Sequence, residues 1–214
     1  TAVDSSTWIS FQAIHKNNTV VTQIPRYNVT KAENLDYMFD NCQALSKIEI
    51  NNLISTTADV IQLPLSQPWT GNYMFNNCNS LNSDNYSQNK FPALDLDQCT
   101  SAKYMFGNCG SIKEFGNTNF QAGNLKNTAF MFSGCNALTR LPIFNNYPNA
   151  TTTEGDAIVG MFENVNSVNT TFDTDWENVF GAPANLNKIT SLNKTWSNAN
   201  NPNLPDNWNF SNVT

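Results

Sequence analysis

One short pattern, rewritten along the chain, limits this sequence to very few architectures. An aromatic residue, Met-Phe, a polar pair, Cys, two small or polar residues and an aliphatic recur at Tyr37 to Leu45, Tyr73 to Leu81, Tyr104 to Ile112 and Phe130 to Leu138. Gly160 to Val168 keeps Met161-Phe162 and puts Val165 where Cys stood, and Thr195 to Ala199 keeps only an aromatic, Asn198 and a small apolar residue. Self-similarity at a spacing of roughly 25 to 35 residues predicts a solenoid, because a unit that short buries its apolar side only against its neighbours. The ladder Met38, Phe39, Cys42; Met74, Phe75, Cys78; Met105, Phe106, Cys109; Met131, Phe132, Cys135; Met161, Phe162, Val165 is therefore the expected core.

Spacing after the motif supports one plan: Phe39 to Ile48, Phe106 to Phe115 and Phe132 to Leu141 are equal intervals. Alternation in Leu45 to Ile50 and Leu138 to Ile143 predicts short strands with Ile48 and Ile50, or Leu141 and Ile143, on the inner face. The fold class is thus an α/β repeat solenoid, with short parallel strands on one side and turns or single helical turns on the other. Residues 1–19 read as an N-terminal cap with a short helix around Trp8, Phe11 and Ile14. Val20 to Pro25 reads as a strand stopped by proline. Residues 20–214 read as about six units, the last incomplete because Asn212-Val213-Thr214 repeats the approach Asn28-Val29-Thr30. Insertions at 51–62, 82–90 and 147–156 are expected as loops on a binding side.

Composition restricts function more than it assigns it. Only 13% of residues are charged, about one in six is Asn, and the net charge is −6. Scattered Lys and Arg give no basic stripe for nucleic acid, and no apolar run is long enough for membrane insertion in this segment. Eight Asn-x-Ser/Thr sequons are what chance gives in a chain this rich in Asn, Ser and Thr. Equivalent positions hold Cys, Val or Ala, so the Cys ladder reads as buried reduced thiols rather than a disulfide scaffold. Cys99 lies outside it. A single His, His15, and no C-x-x-C pair leave no metal site, and Asp95-Leu96-Asp97 and Asp173 to Glu177 lack the glycine-punctuated loop of a calcium site. No phosphate loop, nucleophile elbow or H-E-x-x-H is present, so no catalytic residue and no cofactor are expected.

The Tyr-Met-Phe-x-Asn-Cys-x-Ser/Ala-Leu unit, with Asn-Val-Thr before it and Leu-x-x-Leu/Ile-x-Ile after it, resembles the BspA-type leucine-rich repeats of bacterial surface proteins over roughly Val20 to Thr214. That resemblance implies an extracellular or cell-surface protein adhering to host proteins or to other cells, and it supplies no catalytic residues. The expected function is recognition of a protein or glycan on a host or neighbouring cell. Candidate contacts are the outward charged residues Lys47, Glu49, Asp95, Glu114 and Arg140 and the aromatics near insertions, Trp69, Tyr147 and Trp176. The alternative is a structural virion or fibre component, such as a phage decoration, head-fibre or tail protein, in which copies pack together.

Overall fold

The computed structural model describes residues 5, 7–24, 27–48, 60–61, 63–64, 66–86, 89–116, 119–145, 147, 154, 157–165 and 189–199. Its organising element is the motif itself, folded as a chain of tight turns. In the unit 37–42 the N–H groups of Met38, Asp40 and Cys42 bond back to the carbonyls of Leu35, Tyr37 and Phe39. The alternate N–H groups point the other way and leave the unit: Tyr37, Phe39 and Asn41 donate to the carbonyls of Asn72, Met74 and Asn76 in the next one, each at 2.8 Å. The same three-bond junction recurs from 73–77 to 103–107, from 104–108 to 129–133, from 130–134 to 159–163 and from 160–164 to 193–197, at 2.7–3.0 Å throughout.

This geometry needs left-handed backbone at the first and fifth positions of the unit. Tyr37, Tyr73, Tyr104, Phe130 and Lys194 at the first, and Asn41, Asn77, Asn108, Asn164 and Asn198 at the fifth, all have φ between 54° and 60°, or 61° at Asn41. Asn tolerates that region because its short amide bonds locally, which accounts for the recurring Asn of the sequence motif. Where it is missing, Gly134 takes the fifth position at φ 75°. Gly160 takes the first at φ 61°, with the Phe130 ring 2.2 Å from where a Cβ would stand. A bulky aromatic residue at the first position is strained by its backbone. Face-to-face packing on the neighbouring unit's ring compensates, at centroid separations of 4.8, 4.8 and 4.6 Å along Tyr37, Tyr73, Tyr104 and Phe130.

Inside, the third-position rings form a second stack. His15, Phe39, Phe75, Phe106, Phe132 and Phe162 succeed one another at 5.3–5.9 Å with planes within 14°. Phe91, Phe115, Phe120 and Phe144 meet it or one another edge-on. Met38, Met74, Met105, Met131 and Met161 are fully buried beside it, as are the rings of Phe39 through Phe162 and the side chain of Val165. Truncating one such ring, Phe106→Ala, belongs to a class that costs about 3–5 kcal/mol.

Strands are short and parallel. β1 (Val60–Ile61) pairs with β3 (Ala93–Leu94), β2 (Trp69–Thr70) with β4 (Cys99–Ser101), and β5 (Asn119–Gln121) with β6 (Ile143–Asn145). Single bridges extend the second pair into a row, Ser10 to Asn34, Asn34 to Thr70 and Ser101 to Asn127. That row lies just before each Met-Phe, where no strand was expected from the alternation. In the β6 region Leu141, Pro142 and Phe144 are buried while Ile143 is only partly so, because the chain bends at Arg140 and the strand spans only Ile143–Asn145 instead of alternating from Leu138. Ile48 is buried but not in a strand, and Glu49 and Ile50 lie outside the described residues.

Two readings of the N-terminal region are corrected. Residues 21–24 form no strand, and 11–17 form no helix. Ala13 to Asn18 is instead a further, degenerate unit: Ala13 and Asn17 have φ 57° and 63°, and Ala13, His15 and Asn17 donate to Asp36, Met38 and Asp40 at 2.8–2.9 Å. Ile14 stands where Met does elsewhere and His15 where Phe does, which conceals the unit from a search for Met-Phe. The fifth-position backbone makes a direct test. Asn77→Val should cost about 1–2 kcal/mol more in denaturant unfolding than Asn77→Gly, since both lose the amide but only the β-branched residue is forced into left-handed space; equal losses would contradict the conformational reading.

Candidate functional site

Residues that do not repeat gather on the side of the ladder that follows the Cys position. The insertion after Leu81 is not an outlying loop here. Ser83 is buried and Tyr86 nearly so, and they clasp the neighbouring segments. The Ser83 hydroxyl donates to the Glu114 carbonyl at 3.2 Å and accepts the Lys113 N–H at 3.0 Å. The Tyr86 hydroxyl accepts the Ile48 N–H at 2.8 Å, and Asn85 donates its amide to the Ser46 carbonyl at 2.9 Å. Asn82 caps the 3₁₀ turn Ser83–Asn85 by accepting the Asp84 N–H.

This clasp brings side chains from separate units into one charged strip. Lys47 lies 5.8 Å from the Tyr86 ring centroid, within cation–π reach. Lys113 pairs with Asp84 at 2.6 Å, and Glu114 lies between Lys90 at 3.6 Å and Arg140 at 3.5 Å. Among the described residues the strip thus gathers Lys47, Lys90, Lys113 and Arg140 with Asp84 and Glu114. The groups stay partly open to water, so each pair contributes no more than about 0.2–1 kcal/mol. Their value to the fold is small and their accessibility is retained.

Of the sequence candidates, Lys47, Glu114 and Arg140 thus come together. Asp95 does not join them: its carboxylate accepts the Asp97 N–H in its own turn at 3.0 Å. Trp69 and Tyr147, expected as exposed contacts, are each 1% exposed, a correction to that expectation. Trp69 belongs to β2 and packs over Gly71, where a Cβ would meet its ring at 2.8 Å. The Tyr147 hydroxyl is bonded to that of Thr128 at 2.8 Å under the neighbouring unit. Glu49 and Trp176 lie outside the described residues. Asp84, Lys90 and Lys113 had no sequence signal, since only the fold of the 82–90 insertion places them beside Glu114.

Among the described residues, no group of three His, Cys, Asp or Glu side chains is placed to hold a metal, and no helix is long and apolar enough to cross a membrane. All five cysteines are free and buried. Cys42, Cys78, Cys109 and Cys135 donate their thiols at 3.0–3.1 Å to the carbonyls of His15, Phe39, Phe75 and Phe106 in the preceding unit. Burial pushes Cys42 up to about 11 and Cys135 up to about 12, and raises Cys78, Cys99 and Cys109 well above the ordinary thiol range. A thiol kept protonated is a poor nucleophile. Native protein at pH 8 should therefore leave all five cysteines unlabelled by a disulfide reagent on a timescale that labels five per chain in guanidinium; rapid native labelling of the ladder thiols would contradict their burial.

No curated protein matches the chain, and no solved structure does. A family described as "Mycoplasma protein of unknown function, DUF285" matches residues 9–144 and, in an overlapping second register, 66–176. Two overlapping registers are what an internally repeated chain gives when one repeat-built pattern is laid along it, and the first begins upstream of the degenerate unit at Ala13. Together the matches run from 9 to 176, well over half of the 214 residues, and the chain belongs to the DUF285 family.

Proposed function

We propose that the chain is a BspA-type leucine-rich-repeat-like solenoid acting as a non-enzymatic recognition module at the cell surface, and that it binds a protein or glycan carrying acidic groups. The observation supporting this is the strip Lys47, Asp84, Lys90, Lys113, Glu114 and Arg140. Its members come from different units, are held together by the buried Ser83 and Tyr86, and keep their charged ends partly open to water. Stability does not require such an arrangement, because part-exposed ion pairs contribute little. Recognition of acidic groups uses it directly, with Lys113 and Arg140 as partly exposed donors. Extended arrays of stacked units suit large ligands, since the contact residues vary from unit to unit while the core stays constant.

Binding of the purified chain to a glycan array holding sulfated, sialylated and neutral members, and to a panel of extracellular-matrix proteins, tests the proposal. Association with acidic members is expected, falling about tenfold or more in a Lys113→Gln/Arg140→Gln variant and weakening with added salt. Unfolding of that variant should change by less than about 1 kcal/mol. Failure to bind any member, or binding that the variant leaves unchanged, would overturn it.

A further inference from the structure

Outside the backbone ladder, the fifth-position side chains form a ladder of their own. Their amides donate to the oxygen of the amide in the preceding unit: Asn41 to Asn17 at 3.1 Å, Asn108 to Asn77 at 3.0 Å and Asn198 to Asn164 at 2.8 Å. Stacked amides of this kind suit units that repeat at about 4.7–4.9 Å, and the outer rings step at 4.6–4.8 Å. Gly134 interrupts the row. The backbone bonds from Asn108 to Ser133 and from Gly134 to Glu163, both 2.7 Å, fix it as the fifth-position residue between Asn108 and Asn164. Asn108 commits its N–H to Asn77, so its Oδ1 turns toward Gly134 and leans into the space a Cβ would take. Asn164 commits its oxygen to Asn198, which leaves its Nδ2 for the Gly134 side, as Asn108 and Asn41 direct theirs to the preceding unit. Both side chains are exposed, and among the described residues neither the Asn108 Oδ1 nor the Asn164 Nδ2 has a hydrogen-bond partner. One absent amide therefore leaves an acceptor on one side of the gap and a donor on the other.

We propose that the gap at Gly134 is a subsite for the acetamido group of an N-acetylated sugar, whose amide stands in for the missing fifth-position side chain. Its N–H donates to the Asn108 Oδ1 and its carbonyl accepts from the Asn164 Nδ2, so the row of amides runs through the ligand. The pair of unmet groups selects this chemistry. A carboxylate offers only acceptors and would face the Asn108 oxygen, and an ammonium offers only donors and would leave the Asn164 N–H unmet. A hydroxyl has both functions on a single atom and does not reach across the gap. A trans amide carries its donor and its acceptor on opposite sides, in the arrangement that the Asn residues of the row use. Among amides hung from a single bond, the acetamido group sits on a rigid sugar ring, whereas an Asn or Gln side chain of a protein gives up rotamer freedom on docking. The two receiving amides are themselves held in place, with φ of 56° at Asn108 and 60° at Asn164 and with bonds to Asn77 and Asn198 behind them. On binding, Asn108 withdraws from the vacated space to the posture that Asn77 keeps beneath Asn108. The subsite goes beyond the recognition proposal: it takes a neutral group and shares no residue with the charged strip, so either can fail without the other.

Heteronuclear NMR on the whole 214-residue chain, titrated with tri-N-acetylchitotriose, tests the subsite. Saturable shifts are expected at the side-chain amides of Asn108 and Asn164 and at the Gly134 N–H, and none with cellotriose, which carries a hydroxyl in place of each acetamido group. Gly134→Asn should complete the row from within the chain, since Asn tolerates left-handed backbone, and should weaken binding about tenfold or more with the far-UV circular dichroism unchanged. Should that variant misfold, Asn164→Asp, which removes the donor and keeps a short polar side chain, should show the same loss. No shift with the acetylated trisaccharide, equal shifts with cellotriose, or affinity unchanged in the folded variant would each overturn the proposal. So would a Gly-Gln-Gly peptide that binds the gap more tightly than the sugar, which would assign it to a protein side chain.

Discussion

The unit's alternation of bonds is the constraint on which the rest depends. Within 37–42, every second N–H closes a local turn and every other one leaves for the next unit. That alternation is possible only if the backbone passes through left-handed space at the first and fifth positions. A sequence that places Asn or Gly at the fifth position meets this cheaply. One that places Tyr or Phe at the first does so at a cost, and the stacked outer row from Tyr37 to Phe130 offsets it. Local conformation and packing between units are therefore coupled: neither the turn nor the stack is favourable alone, which is the usual energetic character of repeat arrays.

From that constraint the interior follows. A fixed hydrogen-bond register repeats the third position directly above itself, so a ring there stacks on its counterpart, and His15 stacks on Phe39 as a phenylalanine would. The sixth position falls beneath the preceding unit's third-position carbonyl. Cys suits it by being small, apolar and a weak donor, and the four thiols all bond that carbonyl. Val165 fills the same space without the bond. The tolerance of Val there and the raised thiol ionisation both identify the Cys residues as packing elements.

Much of the core was legible in the sequence because it repeats. Met105, Phe106 and Cys109 are visible as core without any knowledge of the turn that buries them. The rest was hidden for specific reasons. The unit at Ala13 to Asn18 kept the backbone requirement, in Asn17, but not the side-chain signature. Strands of two or three residues carry too little alternation to be located, so nothing in the sequence marks the paired row before Met-Phe, and the alternation from Leu138 puts Ile143 on the inner face, where the structure leaves it only partly buried. Trp69 and Tyr147 look like surface aromatics beside insertions, yet each fills space between units. Of the charged strip, Lys47, Glu114 and Arg140 were identifiable as outward residues, but their grouping depends on the clasp of Ser83 and Tyr86, which no local pattern announces.

The central claim is that one hydrogen-bond ladder runs unbroken from 13 to 199, and residue-resolved amide exchange at low protein concentration tests it most directly. The outward-donating amides of Tyr73, Phe75, Asn77, Tyr104, Phe106 and Asn108 should exchange slowly and at a common opening free energy. Fast exchange at Phe75 or Phe106 would contradict the ladder.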